Sequence, residues 1–108
     1  MPPDLLGGYS EEHPLVKRSL VPSAAFIRAA RKALKKEPSL AQNIGSALAL
    51  LEADAFDSRL RTHKLKGKLD GSWACSAGYD LRIIFSFSQQ EEAEVILLET
   101  LGTHDEVY

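Results

Sequence analysis

The stretch Leu81-Arg82-Ile83-Ile84-Phe85-Ser86-Phe87 decides the fold of this chain. It is apolar at most positions and carries the bulky side chains that are typical of a central strand. Two other β-rich runs, residues 73–77 and 93–101, lie on either side of it, and the polar residues 89–92 have the composition of a hairpin turn. The second half of the chain therefore predicts an antiparallel sheet of three or four strands.

The first half of the chain begins with a strand and a helix. Residues 17–21 form a short strand candidate that Pro22 closes, and Ser23 is a suitable N-cap for a helix over residues 24–36. This helix would place apolar side chains on one face and basic side chains on the opposite face.

A second helix is predicted directly after Pro38. Ser39 and Gln42 have the spacing of a capping box, and apolar residues recur at helical spacing to about Ala55. So short a connection predicts an antiparallel helix pair. We therefore predict an α+β domain, in which an N-terminal strand is followed by a two-helix hairpin packed on one face of the sheet. The other face would be partly open to ligands.

Length and composition indicate one globular domain. The chain has 108 residues, of which 44% are hydrophobic and 26% charged. Residues 1–14, with three prolines and two glycines, are interpreted as a flexible leader, and residues 15–108 as the folded domain. No apolar run is long enough to span a membrane, and the start lacks a secretory pattern. The single cysteine, Cys75, excludes an internal disulfide, so we expect a cytoplasmic protein.

The charges are unevenly distributed along the chain. The formal net charge is −2, which does not favour binding to a polyanion. However, residues 17–36 carry seven basic residues and no acid, and residues 59–82 carry six basic residues against Asp70 and Asp80. The surface could therefore present one basic face, or it could be a solvated mixture of both signs.

Two histidines within the predicted domain suggest acid–base chemistry. His63 opens the basic segment His63-Lys64-Leu65-Lys66-Gly67-Lys68, and His104 follows the last predicted strand. Imidazole titrates near neutral pH, so one histidine can accept a proton while another donates one beside a phosphate. This pattern predicts a metal-independent ribonuclease. A metal site formed by both histidines and Asp80 is the other option, but no closely spaced ligand motif supports it.

Three segments resemble the RelE/ParE toxin superfamily, and its YafQ-like branch in particular. They are residues 63–67 (HKLKG), 78–85 (GYDLRIIF) and 102–108 (GTHDEVY), and the resemblance covers roughly residues 15–108. It implies an endonuclease that cuts messenger RNA in the decoding site of the 30S ribosomal subunit. It also implies a cognate antitoxin that silences the enzyme in a hetero-oligomeric complex. The reaction would be attack by a ribose 2′-hydroxyl on the adjacent phosphorus, with no cofactor.

The resemblance also implies a role for individual residues. His63 matches the first histidine of the YafQ-like pattern and His104 the last, while Asp80 matches the family aspartate. Arg82 and Tyr108 stand where RelE-type members keep an arginine and a near-terminal tyrosine. These matches suggest His63 and Asp80 on the base side and His104 as the general acid. Arg82 would hold and neutralise the scissile phosphate, and Tyr108 would stack on a base or contact the phosphate.

The three lysines of the basic segment are the other phosphate-binding candidates. Because Lys64, Lys66 and Lys68 alternate, an extended segment would aim all three to one side. They could equally form a solubilising strand edge.

Two positions depart from the family pattern. A further histidine is expected on the strand before the central one, where Ser76 stands here. The tryptophan expected after the aspartate is replaced by Leu81.

Several of these residues also have purely structural interpretations. Arg82 could form an ion pair with Asp80 or Glu99, and the histidines could be surface residues in a loop and a tail. Trp73 and Tyr79 are interpreted as core residues, because each lies within or beside an apolar strand.

Two other functions stay open from the sequence. One is a non-enzymatic toxin of the ParE type, which inhibits DNA gyrase by protein contact. The other is a degenerate member that binds an antitoxin without cutting RNA.

Overall fold

The computed structural model describes residues 17–108, so the predicted leader, residues 1–14, lies outside the described residues. The elements in chain order are β1 (Ser19–Pro22), α1 (Ala24–Lys36), α2 (Leu40–Ala53), β2 (His63–Lys64), β3 (Trp73–Ser76), β4 (Leu81–Gln90), β5 (Ala93–Thr103) and α3 (His104–Val107). Two 3₁₀ turns, Ser58–Leu60 and Gly67–Leu69, precede and follow β2. No helix in this part of the chain is long and apolar enough to cross a membrane.

The strands form one five-stranded sheet in the order β1-β5-β4-β3-β2. β4 occupies the middle, as predicted, and β2 to β5 are antiparallel neighbours. β1 pairs with β5 in the parallel direction, with Ser19 opposite Val95, so the sheet is mixed. The predicted α+β fold is therefore confirmed, but the parallel edge strand was not predicted. Strand direction at that edge depends on how the helices return the chain, which local sequence does not encode.

α1 has the predicted bounds. The Ser23 hydroxyl accepts a hydrogen bond from the Phe26 N–H at 3.0 Å, which confirms Ser23 as the N-cap. The helix ends at Lys36 because Glu37 leaves the helical conformation, with φ −145° and ψ 89°, directly before Pro38.

The start of α2 differs from the prediction. Ser39 has helical backbone angles (φ −64°, ψ −16°) and its side chain makes no capping bond, so the predicted capping box is wrong. A turn closed by the Leu40 N–H and the Glu37 carbonyl already brings Ser39 into the helical conformation. An N-cap residue instead needs an extended backbone to present its hydroxyl to the helix. The Ser39 hydroxyl donates to Glu37 Oε2 at 3.3 Å.

Both helices pack against the same face of the sheet. Phe26 of α1 and Leu51 of α2 share a buried core with Leu81, Ile83 and Phe85 of β4. Because successive strand residues point to opposite faces, the even-numbered residues of β4 lie on the other face. That second face carries partly exposed polar side chains, including those of Ser76, Arg82 and Ser86.

Candidate active site

The short helix α3 positions His104 at the end of β5. The Thr103 hydroxyl accepts a hydrogen bond from the Glu106 N–H at 3.3 Å, and Glu106 Oε1 accepts one from the Thr103 N–H at 2.8 Å. This reciprocal capping box fixes the start of the helix at His104. Four residues are too few to show helical periodicity, so α3 was not predicted. Its sequence signal was the capping-box spacing of Thr103 and Glu106.

Gly102 allows α3 to fold back against the end of β5. A Cβ at this position would lie 2.8 Å from Glu106 Oε1 and 3.1 Å from Val107 Cγ1. Any side chain here would therefore displace the carboxylate that caps α3. The glycine before the predicted general acid thus has a steric role in placing that acid.

Asp80, His104 and Tyr108 come together at this end of the sheet. Asp80 Oδ1 accepts a hydrogen bond from the His104 N–H at 3.4 Å. The imidazole of His104 is 59% exposed, and its Nδ1 lies 3.6 Å from Asp105 Oδ1. Its ring meets the Tyr108 ring edge to face at a centroid distance of 4.6 Å. The imidazole is therefore accessible to a ligand and held on two sides.

Arg82 lies on β4 beside this group of residues. Its Nη1 donates to the backbone carbonyl oxygens of Leu81 (3.1 Å) and Tyr79 (3.3 Å). Within residues 17–108, no carboxylate forms an ion pair with this guanidinium. The structural alternative, an ion pair with Asp80 or Glu99, is therefore not present in the described chain. The positive charge of Arg82 is left available to an anionic ligand.

The charge of Arg82 also acts on its neighbours. Burial raises the pKa of the Tyr108 phenol above 10, and the nearby Arg82 guanidinium partly opposes that rise in pKa. Tyr108 therefore stays protonated at neutral pH and can donate a hydrogen bond to a phosphate oxygen. Burial raises the pKa of the Cys75 thiol to about 12, so this cysteine stays neutral in the core.

His63 lies on the same face of the sheet but far from this cluster. It pairs with Ala74 on the edge strand β2, and its Nδ1 is 3.0 Å from the Arg61 carbonyl oxygen. His104 lies three strands away across the sheet, at about 4.8 Å per strand, and about four residues further along the strand direction. The Cα atoms of His63 and His104 are therefore roughly 15–20 Å apart. The structure therefore brings His104 to Asp80, but it does not bring His63 to either of them.

The basic segment after His63 is not one extended strand, so that prediction is wrong. Gly67 adopts φ +69° and starts a 3₁₀ turn that contains Lys68. Lys64 pairs with Trp73, and its Nζ lies 5.7 Å from the centroid of the Trp73 ring. Trp73 packs against the core on the helix side, as predicted, so Lys64 points to the face opposite Arg82.

The two departures from the family pattern fall in different environments. Ser76 is directly opposite Arg82 in the pairing of β3 and β4, and it is partly exposed. The position of the missing histidine is therefore part of the Arg82 cluster. Leu81 is only 5% exposed and belongs to the core on the helix side. That second difference changes packing rather than the exposed chemical groups.

Tyr79 is not a core residue, contrary to the prediction. It is 99% exposed, because it occupies the bend between β3 and β4 rather than either strand. The signal in the sequence was the preceding Gly78, which is typical of a turn. Arg61 was also missed as a candidate phosphate-binding residue. It is exposed and adopts φ +53°. It precedes β2, and the antiparallel pairing of β2 with β3, if continued, would place it opposite Ser76.

A metal centre has no support in the described residues. No group of three or more His, Cys, Asp or Glu side chains between residues 17 and 108 could hold a metal ion.

Comparison with known proteins identifies the family. The model of the family described as the bacterial toxin of type II toxin–antitoxin systems, YafQ, matches residues 18–108. No curated protein resembles the chain closely enough in sequence to count as a match.

Several solved structures share the fold. A YafQ mutant from E. coli has 16% identity and a TM-score of 0.69, covering 85% of this chain and 99% of its own. YafQ in the E. coli DinJ–YafQ complex has 17% identity and a TM-score of 0.68, with the same coverage. The YoeB/ParE toxin from Agrobacterium tumefaciens has 14% identity and a TM-score of 0.66, covering 80% of this chain and 98% of its own. The predicted relationship to the YafQ-like branch of the RelE/ParE superfamily is confirmed, and this chain belongs to the YafQ family of bacterial type II toxin–antitoxin toxins.

Proposed function

We propose that this toxin is an endoribonuclease that cleaves messenger RNA with Asp80, Arg82 and His104 at the reacting phosphate. The observation that carries the proposal is the Arg82 guanidinium, which has no carboxylate partner in residues 17–108 and lies beside the Asp80–His104 contact. A free guanidinium on a partly exposed sheet face is well suited to bind phosphate oxygens.

Each group of the cluster has a chemical step that suits it. Asp80 takes the proton from the ribose 2′-hydroxyl while the 2′-oxygen forms a bond to phosphorus. The exposed imidazolium of His104 gives a proton to the leaving 5′-oxygen. The bond between phosphorus and the 5′-oxygen breaks, which leaves a 2′,3′-cyclic phosphate and a 5′-hydroxyl. Arg82 neutralises the charge that develops on the phosphate oxygens. Tyr108 donates a hydrogen bond to the same group.

His63 takes a different role from the one that the family pattern suggests. It faces the same side of the sheet as the cluster, but it lies on the edge strand β2, which β3 separates from the central strand β4. His63 therefore contacts RNA several positions along the strand. Lys66 and Lys68 follow it on exposed backbone and bind neighbouring phosphates.

The arrangement favours the ribonuclease over the two rival functions. A gyrase inhibitor acts by protein contact and needs neither an accessible imidazole nor an unpaired guanidinium. A degenerate toxin likewise needs no exposed imidazole at the same end of the sheet as an unpaired guanidinium. The substrate would be met in the cytoplasm, at the ribosomal decoding site.

The partner of this toxin would be a cognate antitoxin, as in the solved E. coli DinJ–YafQ toxin–antitoxin complex. A groove of about 530 Å³ runs between α1 and α3. It is lined by the apolar side chains of Ala33, Leu40 and Val107 and by two charges of each sign, from Lys32, Lys36, Glu37 and Glu106. An amphipathic antitoxin segment would complement this groove.

Induced expression tests the proposed function. Wild-type toxin should arrest growth and produce mapped breaks in messenger RNA, and His104→Ala at equal soluble level should do neither. Ile27→Ala is a suitable control, because Ile27 is an exposed apolar residue of α1 outside the cluster. Growth arrest without messenger breaks, unchanged in His104→Ala, would contradict the ribonuclease and favour a toxin that acts by protein contact.

A further inference from the structure

Tyr79 is the most exposed large hydrophobic residue among those that the structure describes. Its exposed fraction is 99%, compared with 46% for Tyr108 and 38% for Ile27. A tyrosine ring that is so fully exposed adds nothing to the core, while its apolar face and its hydroxyl are open to a ligand or a partner. Tyr79 therefore calls for an explanation beyond folding.

The backbone that carries Tyr79 is held in place on every side. The Ala77 N–H donates to the Leu81 carbonyl oxygen at 2.8 Å, which closes the loop. Gly78 adopts φ +108°, and a Cβ there would overlap the Asn43 amide of α2, so the loop lies directly against that helix. The Tyr79 carbonyl oxygen accepts a hydrogen bond from Arg82 Nη1. A fixed loop thus presents a fully exposed ring.

The position of the ring relates it directly to the cluster. Tyr79 precedes Asp80, and its carbonyl oxygen is bound by the same guanidinium that we assign to the phosphate. A depression of about 290 Å³ opens beside the loop, with Tyr79, Asp80 and Thr103 on one side and Glu37 and Asn43 on the other. A planar group stacked on the exposed ring would lie at this end of the sheet, while its attached phosphate lies on Arg82.

We infer that Tyr79 is a stacking residue for a nucleobase next to the scissile phosphate, an inference that rests on the proposed ribonuclease function. Stacking on an aromatic ring accepts any base, because each base has a π-face. The phenol ring would hold the nucleotide while Arg82 binds its phosphate. Tyr79 would thus set substrate affinity and register, without taking part in proton transfer.

A nucleobase explains Tyr79 better than a protein partner does. A protein contact of this size would normally be surrounded by other apolar side chains. The charged groups next to it are instead Asp80, which follows it in the chain, and Arg82, whose guanidinium binds its carbonyl oxygen and suits a sugar-phosphate chain.

A binding assay with RNA that cannot be cleaved tests the inference. The probe is a short, fluorescein-labelled, single-stranded 2′-O-methyl RNA of mixed sequence, which lacks the attacking hydroxyl. Tyr79→Ala should weaken its binding by roughly 5- to 100-fold, the usual loss for one stacked base. Tyr79→Leu should behave like Tyr79→Ala, because leucine is apolar but has no π-face. Tyr79→Phe and the control Ile27→Ala should bind as wild type does.

Cleavage kinetics separate this inference from the proposed function. Tyr79→Ala should raise the KM for messenger RNA and leave kcat near the wild-type value, because the ring takes no part in the chemical step. If Tyr79→Ala binds the probe and cleaves as wild type does, the inference is wrong, the ribonuclease stands, and Tyr79 is a contact for a protein partner. If wild-type protein neither binds the probe nor cleaves messenger RNA, both proposals fail.

Discussion

Asp80 Oδ1 accepts a hydrogen bond from the His104 N–H at 3.4 Å, although the two residues are 24 positions apart in the sequence. This bond joins the loop before the central strand to the first residue of α3. It thereby places a carboxylate and an exposed imidazole at the same end of the sheet, beside Arg82.

Replacement of Asp80 separates its positioning role from its role as a base. Asp80→Asn keeps the oxygen that accepts from His104 but cannot take a proton, so cleavage should fall by about 10²- to 10⁴-fold. The His104 amide resonance should stay near its wild-type position in Asp80→Asn and shift in Asp80→Ala. Single-turnover cleavage and NMR spectra check both points. If Asp80→Asn cleaved at the wild-type rate, Asp80 would position His104 without acting as the base.

Replacement of Arg82 should affect the reaction more than the fold. Arg82→Ala should lower single-turnover cleavage by about 10²- to 10³-fold, as loss of one donor to a developing oxyanion does. Arg82→Lys should recover part of that loss, because lysine keeps the charge but not the planar fork. Thermal unfolding should change only slightly, since Arg82→Ala removes hydrogen bonds to two backbone carbonyl oxygens but breaks no ion pair within the described chain. A large loss of stability with an unchanged rate would show that Arg82 is structural.

Introduction of a histidine at Ser76 should increase activity. Ser76 is opposite Arg82, so Ser76→His would add an imidazole to the cluster at the position where the family pattern has one. Ser86→His is the matched control, because Ser86 lies on the same face of β4 but pairs with Leu97, away from the cluster. A faster cleavage rate in Ser76→His alone is expected. Equal rates in both variants would show that the missing histidine does not limit this toxin.

The capping box of α3 should make part of the stability depend on pH. Hydrogen bonds from Thr103, with smaller effects of Lys32 and Lys36, hold the pKa of Glu106 below its usual value of 4.5. Because the pKa of the Glu106 carboxyl is lower in the folded state than in the unfolded state, its ionised form stabilises the fold at any pH above the unfolded-state pKa. This stabilisation is lost as the pH falls through the pKa of the folded state.

Glu106→Gln isolates this contribution. Glutamine can still accept a hydrogen bond from the Thr103 N–H but does not titrate, so unfolding midpoints should depend less on pH below about 4.5 than in wild type. If the unfolding midpoints of the two proteins fell in the same way at acid pH, the capping carboxylate would contribute nothing measurable to stability.

Most of the fold could be predicted from local sequence. Ser23 and Pro38 mark the ends of helices, and the apolar run of β4 marks the centre of the sheet. The hairpin turn predicted at residues 89–92 is present, but it is limited to Glu91 and Glu92, because Gln89 and Gln90 still pair with β5. Local hydrogen bonds and restricted backbone angles determine these features, so short patterns reveal them. The parallel pairing of β1 with β5 joins residues about 76 positions apart, and no local pattern encodes it.

The candidate site could be predicted only in part for the same reason. Asp80, Arg82 and His104 come together because β4 and β5 are neighbours in the sheet, and both strands were predicted. His63 was grouped with them from its chemistry, but its place on the far edge strand depends on a loop of irregular structure. Tyr79 was assigned to the core because apolar neighbours in sequence do not distinguish a strand from the bend before it.

The most direct test of the central claim compares two histidine variants on one messenger RNA in a translation extract, with end-group analysis of the products. Wild type should leave 2′,3′-cyclic phosphate and 5′-hydroxyl ends. His104→Ala should lose about 10²-fold or more in rate, as removal of a general acid does, and His63→Ala should keep most of it. Equal loss in both variants would contradict the assignment of His104 alone to the reacting phosphate. If cleavage by the wild type left no cyclic phosphate ends, the 2′-hydroxyl mechanism itself would be contradicted.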